Sequence, residues 1–358
     1  MSEKKILLII DLLGSGGAQR QFVGLAKLLQ EKGYDINVIY YFPYHFYKQF
    51  LDDNGIQNKM LDFRGGILGR IYKTAAYIKT FKPDVVISYL NAPNIISCLL
   101  KLLGLKYKLI VSERNTTQSF TMTERIKFCL MKYADYIVPN SYSQEKFIQS
   151  HYQCLSSKIK TITNFVDTNV FIPDYAKVRN RVIIVARVSP QKNVLKFLEA
   201  IKLLKEKGLK FKIDWYGSHS IAQNEYFSEC MTKRDDYEIS SYIDFHDAKL
   251  NIIEEYQSSD VFCLPSTYEG FPNVICEAMS CGLPILCSDV CDNPLIVEDG
   301  INGFLFNPYS PTDIAEKFEH YLSLNSDTKQ LMKERSREMA IKKFSATSFI
   351  NKYLSLIN

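Results

Sequence analysis

Two glutamates eight residues apart, Glu269 and Glu277, lie in the stretch Ser266-Thr-Tyr-Glu269-Gly270-Phe271-Pro272-Asn273-Val-Ile-Cys-Glu277-Ala-Met-Ser-Cys-Gly282-Leu-Pro284. Carboxylates are strong acceptors for the hydroxyls of a sugar or a ribose. The apolar run Val261 to Pro265 precedes them and predicts a buried strand. Gly270 can take the backbone angles of a tight turn, and Pro272 suits the first position of a helix. That helix would aim its unbonded amides at whatever lies before it, which favours an anion such as a diphosphate. Glu269 would then sit in the loop and Glu277 in the second turn, reaching different parts of one ligand. A glutamate pair at this spacing also occurs on ordinary solvated helices. The strand, the Gly-Phe-Pro turn and the Gly-x-Pro ending set this one apart.

The elements that must position these residues are legible as short apolar runs, each followed by a helical pattern. They are Lys5 to Leu12, Ile36 to Tyr41, Asp84 to Tyr89, Lys108 to Ser112 and Tyr136 to Asn140 in the first half. The rhythm restarts after the polar segment Pro173 to Asn180 with Arg181 to Ala186, Lys210 to Tyr216, Ile243 to Phe245, Val261 to Pro265 and Pro284 to Ser288. Continuous apolar strands separated by helices mean parallel βαβ sheets buried on both faces. The predicted class is α/β, with two Rossmann-like doubly wound domains, 1–172 and 181–340, and a final helix over 341–358 crossing back to the first domain. Ligands of such sheets bind beyond the carboxyl ends of the strands, so the crevice facing both domains is the expected site.

Composition sets the remaining bounds. With 358 residues, 46% hydrophobic and 23% charged, the chain is long enough for two cores and unlike a disordered or coiled-coil protein. Asp11 interrupts the apolar run Ile6 to Ile10, which argues for a first strand rather than a signal peptide. Nine cysteines without a CxxC pair predict reduced thiols in a cytoplasmic protein. The chain contains no D-x-D, so no metal-bridged diphosphate site is expected and the compensating charge must come from cations and helix ends. Residues 1–172 hold 22 lysines and arginines against 13 acidic residues, while the rest of the chain is net acidic. The basic half suits a phosphorylated partner or an anionic membrane surface. Without a recognition module, no nucleic-acid partner is expected.

The Glu269/Glu277 element resembles the E-x7-E hallmark of the family-4 retaining glycosyltransferases of the GT-B fold, and further family features follow in order along nearly the whole chain. Gly14-Ser15-Gly16-Gly17-Ala18-Gln19-Arg20 resembles the glycine-rich turn after the first strand, which places Gly16 and Gly17 toward an acceptor. Arg187 and Lys192, in Val185-Ala-Arg187-Val-Ser-Pro-Gln-Lys192-Asn193, resemble the R-x4-K element, a guanidinium fork and a point charge that together balance a nucleotide diphosphate. Tyr216-Gly217-Ser218 resembles the G-x-G turn with its second glycine missing. Cys291-Asp-Asn-Pro-Leu-Ile-Val297 and Gly300-Ile-Asn-Gly303-Phe-Leu305 resemble the diphosphate-facing loop and a tight hairpin.

The resemblance implies that Glu269 contacts the transferred sugar and Glu277 the donor ribose. Gly217, Gly270, Phe271, Pro272 and Asn273 would complete the donor site. It also implies a nucleotide-sugar co-substrate, UDP-linked by preference, and no further cofactor. Where many relatives carry a histidine, this chain reads Ser112-Glu113-Arg114-Asn115, similar to the branch acting on polyprenyl-diphosphate-linked sugars. Glu113 would orient an acceptor hydroxyl and Arg114 would meet a phosphate or pair with Glu113, with a purely structural pair as the alternative. Arg70 and Lys73 would lie side by side on a helix, part of a basic face with Arg64, Lys101, Lys106 and Lys108 that suits a lipid-linked glycan at a membrane. The alternatives are a GT-B sugar-nucleotide epimerase, a phosphorylase and a non-catalytic scaffold of a polysaccharide assembly complex.

Overall fold

The computed structural model describes residues 4–114, 117, 121–177, 181–218, 225–249 and 251–358. It contains two compact units, one built from Met1–Phe165 with Ala346–Asn358 and the other from Val166–Ser345. The first boundary therefore falls at Phe165 rather than at the expected 172. The return to the first unit begins at Ala346 rather than 341.

The first unit holds six parallel strands, β1 (Lys5–Ile10), β2 (Asp35–Tyr40), β3 (Gln57–Met60), β4 (Val85–Tyr89), β5 (Lys108–Glu113) and β6 (Tyr136–Pro139), in the order β3-β2-β1-β4-β5-β6. The second holds β7 (Arg181–Val185), β8 (Lys212–Tyr216), β9 (Ile243–His246), β10 (Val261–Leu264), β11 (Ile285–Ser288) and β12 (Gly303–Phe306), in the order β12-β11-β10-β7-β8-β9. Each is a doubly wound Rossmann-like sheet whose order reverses once, at β1/β4 and at β7/β10.

Alternation along β1 shows why the apolar runs are continuous. Ile6, Leu8 and Ile10 join one buried cluster with Phe22, Leu25 and Leu29 of the helix Gly17–Glu31, while Leu7 and Ile9 join a second cluster on the opposite face. Both faces are covered by helices, so every second residue must be apolar on each side.

Two strands were not among those expected. Strand β3 reads Gln-Asn-Lys-Met and is largely exposed, an edge strand held by its ladder to β2 rather than by burial. Strand β12 was expected to belong to a tight hairpin, but it runs parallel to β11, with Ile285 opposite Gly303.

The terminal helices break at Ser345, giving Ser326–Phe344 and Ala346–Ile357. Phe349, Ile350, Tyr353, Leu356 and Ile357 of the last helix complete the first unit's cluster around Phe22 and Leu25. Lys108 caps its end, Nζ donating to the carbonyls of Leu356 and Ile357 at 2.9 and 3.0 Å. Removing the Tyr353 ring from this fully buried position is expected to cost about 3–5 kcal/mol. Chemical denaturation of Tyr353→Ala should show that loss in the transition of the first unit.

Candidate active site

In the second unit the site grows from the carboxyl ends of two adjacent strands, β7 and β10, where the strand order reverses. The close approach of β7 and β8 there requires glycine at 217, because a Cβ would lie 1.9 Å from the Ala186 carbonyl oxygen. That oxygen already accepts from Trp215 Nε1 at 2.7 Å, so the backbone cannot easily yield. Arg187 follows, exposed and without a hydrogen bond or ion pair among the described residues.

The next turn, Pro190–Lys192, is fastened to the loop after β10. Thr267 N donates to Gln191 O at 2.9 Å, and Gln191 Nε2 donates to Tyr268 O at 2.9 Å. Lys192 Nζ and Glu269 Oε1 then meet at 2.5 Å, their side chains 13% and 10% exposed. The pair is dry enough to be strong and open enough to be reached. On the same two loops the hydroxyls of Ser189 and Ser266 are buried without a partner among the described residues. Neither serine was singled out from the sequence, and only their position directly after a strand could have flagged them.

The helix after this loop spans Asn273–Ser280, so Pro272 is its N-cap rather than its first residue. The amides of Asn273 and Ile275 bond to Phe271 O and Pro272 O at 3.0 Å each, which leaves fewer free donors than expected at this helix start. Glu277 is buried in the second turn, where Tyr256 donates to Oε2 at 3.3 Å. Gly270 is half-buried between Glu269 and Phe271. Phe271 turns inward instead, its ring 5.8 Å from that of Phe344, and it packs in the core rather than facing a ligand. The left-handed Cys291, φ 51°, supports the loop through Sγ, 3.5 Å from Glu269 N.

The first unit corrects two assignments. Glu113 ends β5 only 1% exposed, its Oε2 2.7 Å from Lys127 Nζ and its Oε1 accepting from Asn94 Nδ2 at 3.0 Å. Ser88 donates on to Asn94, which closes a buried network. Burial disfavours the Lys127 ammonium, yet Glu113 and Glu124 outweigh it and hold its pKa above the ordinary lysine value. Both oxygens of Glu113 are already engaged and closed off from solvent, so the arrangement suits a structural ion pair rather than a group that orients an acceptor hydroxyl.

Arg114 pairs neither with Glu113 nor with solvent. It donates to Asn164 Oδ1 at 2.7 Å, to Tyr353 OH at 2.9 Å and to Tyr89 OH, lying over the Tyr89 ring. Its charge anchors the last helix. Asn115 lies outside the described residues.

Gly16 is the N-cap of the helix Gly17–Glu31, at the end of the segment that follows β1. Arg70 and Lys73 lie three apart on the helix Gly66–Phe81 but in different surroundings. Arg70 is packed over the rings of Tyr41, Phe42 and Phe63, while Lys73 is exposed beside a cavity it lines with Lys59, Asp62 and Tyr77.

Among the described residues one group has the spacing of metal ligands, Asp214, Asp244 and His246, brought together by the β8/β9 register. Its charges are already matched. Asp214 pairs with Arg181 at 2.8 Å and with His246 at 2.9 Å, and Asp244 pairs with Lys212 at 2.9 Å.

Residues 15–170 match the family model described as Glycosyltransferase Family 4, and residues 167–339 match that of the Glycosyl transferases group 1. The chain belongs to the family-4 glycosyltransferases. It is 26% identical over 306 residues to the amylovoran biosynthesis glycosyltransferase AmsD of Erwinia amylovora, covering 83% of this chain and 84% of the relative. It is also 26% identical over 374 residues to a Campylobacter jejuni enzyme, covering 99% and 98% respectively. That enzyme is named as an α-1,4-N-acetyl-D-galactosaminyltransferase acting on a GalNAc-containing diphospho-undecaprenol glycan.

The glycosyltransferase also shares the GT-B fold of solved structures. A glycosyltransferase from Rickettsia africae superposes with a TM-score of 0.88 at 20% identity, covering 100% of this chain and 98% of that one. Anabaena HepE, solved with UDP, gives 0.86 at 18%, with 98% of each chain covered.

For this glycosyltransferase, Glu113→Gln should act on stability. Breaking a buried ion pair costs about 3–5 kcal/mol. Thermal melting should show a clear fall in Tm, and an acceptor KM unchanged in the folded fraction would separate this from a catalytic role.

Proposed function

We propose that the protein transfers a hexose or N-acetylhexosamine, with retention of anomeric configuration, from a UDP-linked sugar to a glycan carried on polyprenyl diphosphate, in polysaccharide or O-antigen assembly at the cytoplasmic face of a membrane. The observation that carries this reading is the Lys192–Glu269 contact between the loops after β7 and β10, with Arg187 on the first of those loops and Glu277 on the helix that follows the second. Two cations suit a diphosphate and two carboxylates suit alcohols. The names of the Campylobacter relative and of the UDP-bound neighbour support the acceptor and donor classes.

In this mechanism Arg187 receives the diphosphate with an uncommitted guanidinium. Lys192, held at Glu269, shares its charge between that carboxylate and the leaving phosphate as the glycosidic bond lengthens. Glu269 accepts from the transferred sugar's hydroxyls, and Glu277 from the ribose. The departing diphosphate takes the acceptor proton on the same face, so no protein nucleophile is required. Preorganised charge of this kind contributes about 3–4 kcal/mol per contact. Arg187 and Lys192 occupy the place of a metal ion in the charge balance, and the reaction is proposed to be metal-independent.

The membrane-facing surface we assign is the pair of helices Gly66–Phe81 and Asn91–Leu102, not the full set of lysines. Lys101 is paired with Asp135 and Lys108 caps the last helix, so neither is available. Leu68, Tyr72 and Leu103 are instead 73%, 71% and 67% exposed beside a cavity of about 550 Å³ that Lys79 and Lys106 also line. Large exposed apolar side chains among cations fit an anionic bilayer surface.

Lys192→Ala is expected to lower kcat by two to three decades, on the order of 3–4 kcal/mol in the barrier. Product mass and anomeric linkage are read from UDP-sugars incubated with a synthetic polyprenyl-diphosphate monosaccharide, and normal turnover of the variant would refute the assignment. Turnover should persist in excess EDTA; a metal-restored activity would overturn metal independence. Leu68→Glu combined with Tyr72→Glu should abolish sedimentation with phosphatidylglycerol vesicles while leaving UDP binding intact.

A further inference from the structure

At the carboxyl end of the first sheet, Asp11 follows β1 and its carbonyl accepts from Tyr41 N and Phe42 N at 2.9 and 3.0 Å. Leu13 N reaches Tyr44 O at 3.1 Å, so the segments after β1 and β2 are laced together. From the helix Gly66–Phe81, Arg70 enters this place with its guanidinium 5.5–5.8 Å from the ring centroids of Tyr41, Phe42 and Phe63. The Tyr41 hydroxyl is fixed by Thr74 Oγ1 at 3.0 Å. Asp11 Oδ1 and Arg70 Nε are both buried and both without a hydrogen-bond partner among the described residues. A buried carboxylate oxygen and a buried guanidinium N–H left unmade are each unfavourable. Their coincidence at the functional edge of a doubly wound sheet points to a missing ligand.

We propose that Asp11 and Arg70 form a sugar subsite of the acceptor, binding adjacent hydroxyls of one uncharged pyranose ring. The chemistry selects the ligand. A carboxylate only accepts and a guanidinium only donates, so a group that bridges them must do both, as a hydroxyl does. A phosphate would satisfy Arg70 and be repelled by Asp11, and an amine would suffer the reverse. The aromatic walls around Arg70 hold its fork in place and give a ring an apolar face to lie against. The inference rests on the transferase reading above and names the part of the acceptor that the first unit grips.

The titration of Asp11 fits this role. Burial raises its carboxyl from the ordinary value to about 6, with Arg70 pulling the other way, and among the described residues Arg70 and the Tyr41 phenol are the ionisable groups that face it. Because the folded pKa lies above the unfolded one, the protonated form favours folding. That contribution is fully present below about pH 4 and is lost as pH rises through about 6. Above pH 6 the carboxylate is ionised and ready to accept, at some expense to stability.

Asp11→Asn should therefore raise the acceptor KM at least tenfold while the donor KM and UDP binding change less than twofold. Its Tm at pH 7.5 should equal or exceed that of the unaltered protein. The fall in acceptor kcat/KM below about pH 6 should disappear in the variant. An unchanged acceptor KM, an equal rise in donor KM, or a lowered Tm at pH 7.5 would overturn the proposal. Saturation-transfer NMR with free galactose and N-acetylglucosamine separates this from the transferase reading, since it needs no turnover. A signal in the unaltered protein that Asp11→Asn and Arg70→Met both remove supports the subsite even if no lipid-linked acceptor is used. No signal in the unaltered protein refutes it even if transfer occurs.

Discussion

The ion pair between Lys192 and Glu269 governs how the second unit's edge is built, because it fixes two loops from different strands by a contact that neither loop makes alone. Its counterpart in the first unit, Lys127 with Glu113, has the same chemistry and nearly the same length, yet the opposite consequence. The difference is solvent. At 2% and 1% exposure the Lys127–Glu113 pair is closed off and further saturated by Asn94, Asn91 and Glu124. Any ligand would first have to break it and leave a buried charge uncompensated. The Lys192–Glu269 pair keeps a path to solvent, so an incoming anion or alcohol can exchange for part of the contact without stranding either charge.

Backbone geometry makes that arrangement possible. Parallel pairing of β7 with both β8 and β10 brings all three carboxyl ends to one edge, and the absence of a side chain at Gly217 lets β8 pass the Ala186 carbonyl at close range. In the first unit the comparable constraint is closure. Arg114, Tyr89, Asn164 and Tyr353 form one buried polar knot that binds the chain's last helix to strands laid down more than 200 residues earlier. A charged residue in a loop that looks chemical in sequence is thereby consumed by the fold.

That distinction marks the limit of what the sequence could disclose. Buried parallel strands wrote themselves as apolar runs, and ten of the twelve were visible for that reason, whereas β3 depends on edge pairing without an apolar period and the apolar β12 was hidden by the glycines before it, which suggest a hairpin. The motifs around Arg187, Lys192, Glu269 and Glu277 were legible because the turn residues, the strand and the spacing constrain one another locally. Glu113 and Arg114 were misread because their partners, Lys127, Asn94, Asn164 and Tyr353, are up to 239 residues away. Phe271 stands inside a recognisable motif, but Phe344 decides its direction.

The polar atoms that the fold leaves unsatisfied provide a further criterion, independent of motif. Asp11 after β1, Ser189 after β7, Ser266 after β10 and Asn293 after β11 each keep a buried side-chain oxygen without a partner among the described residues, all beyond the carboxyl ends of strands. Burying such atoms unpaired opposes folding by about 1–3 kcal/mol each. Others lie elsewhere, at Asn58 within β3 and Ser97 within the helix Asn91–Leu102, so position alone does not mark a site; what sets Asp11 apart is that Arg70 Nε, also unpaired, faces the same place. It also explains why Asp11, which in the sequence merely interrupts an apolar strand, carries more chemical meaning than the better advertised Glu113.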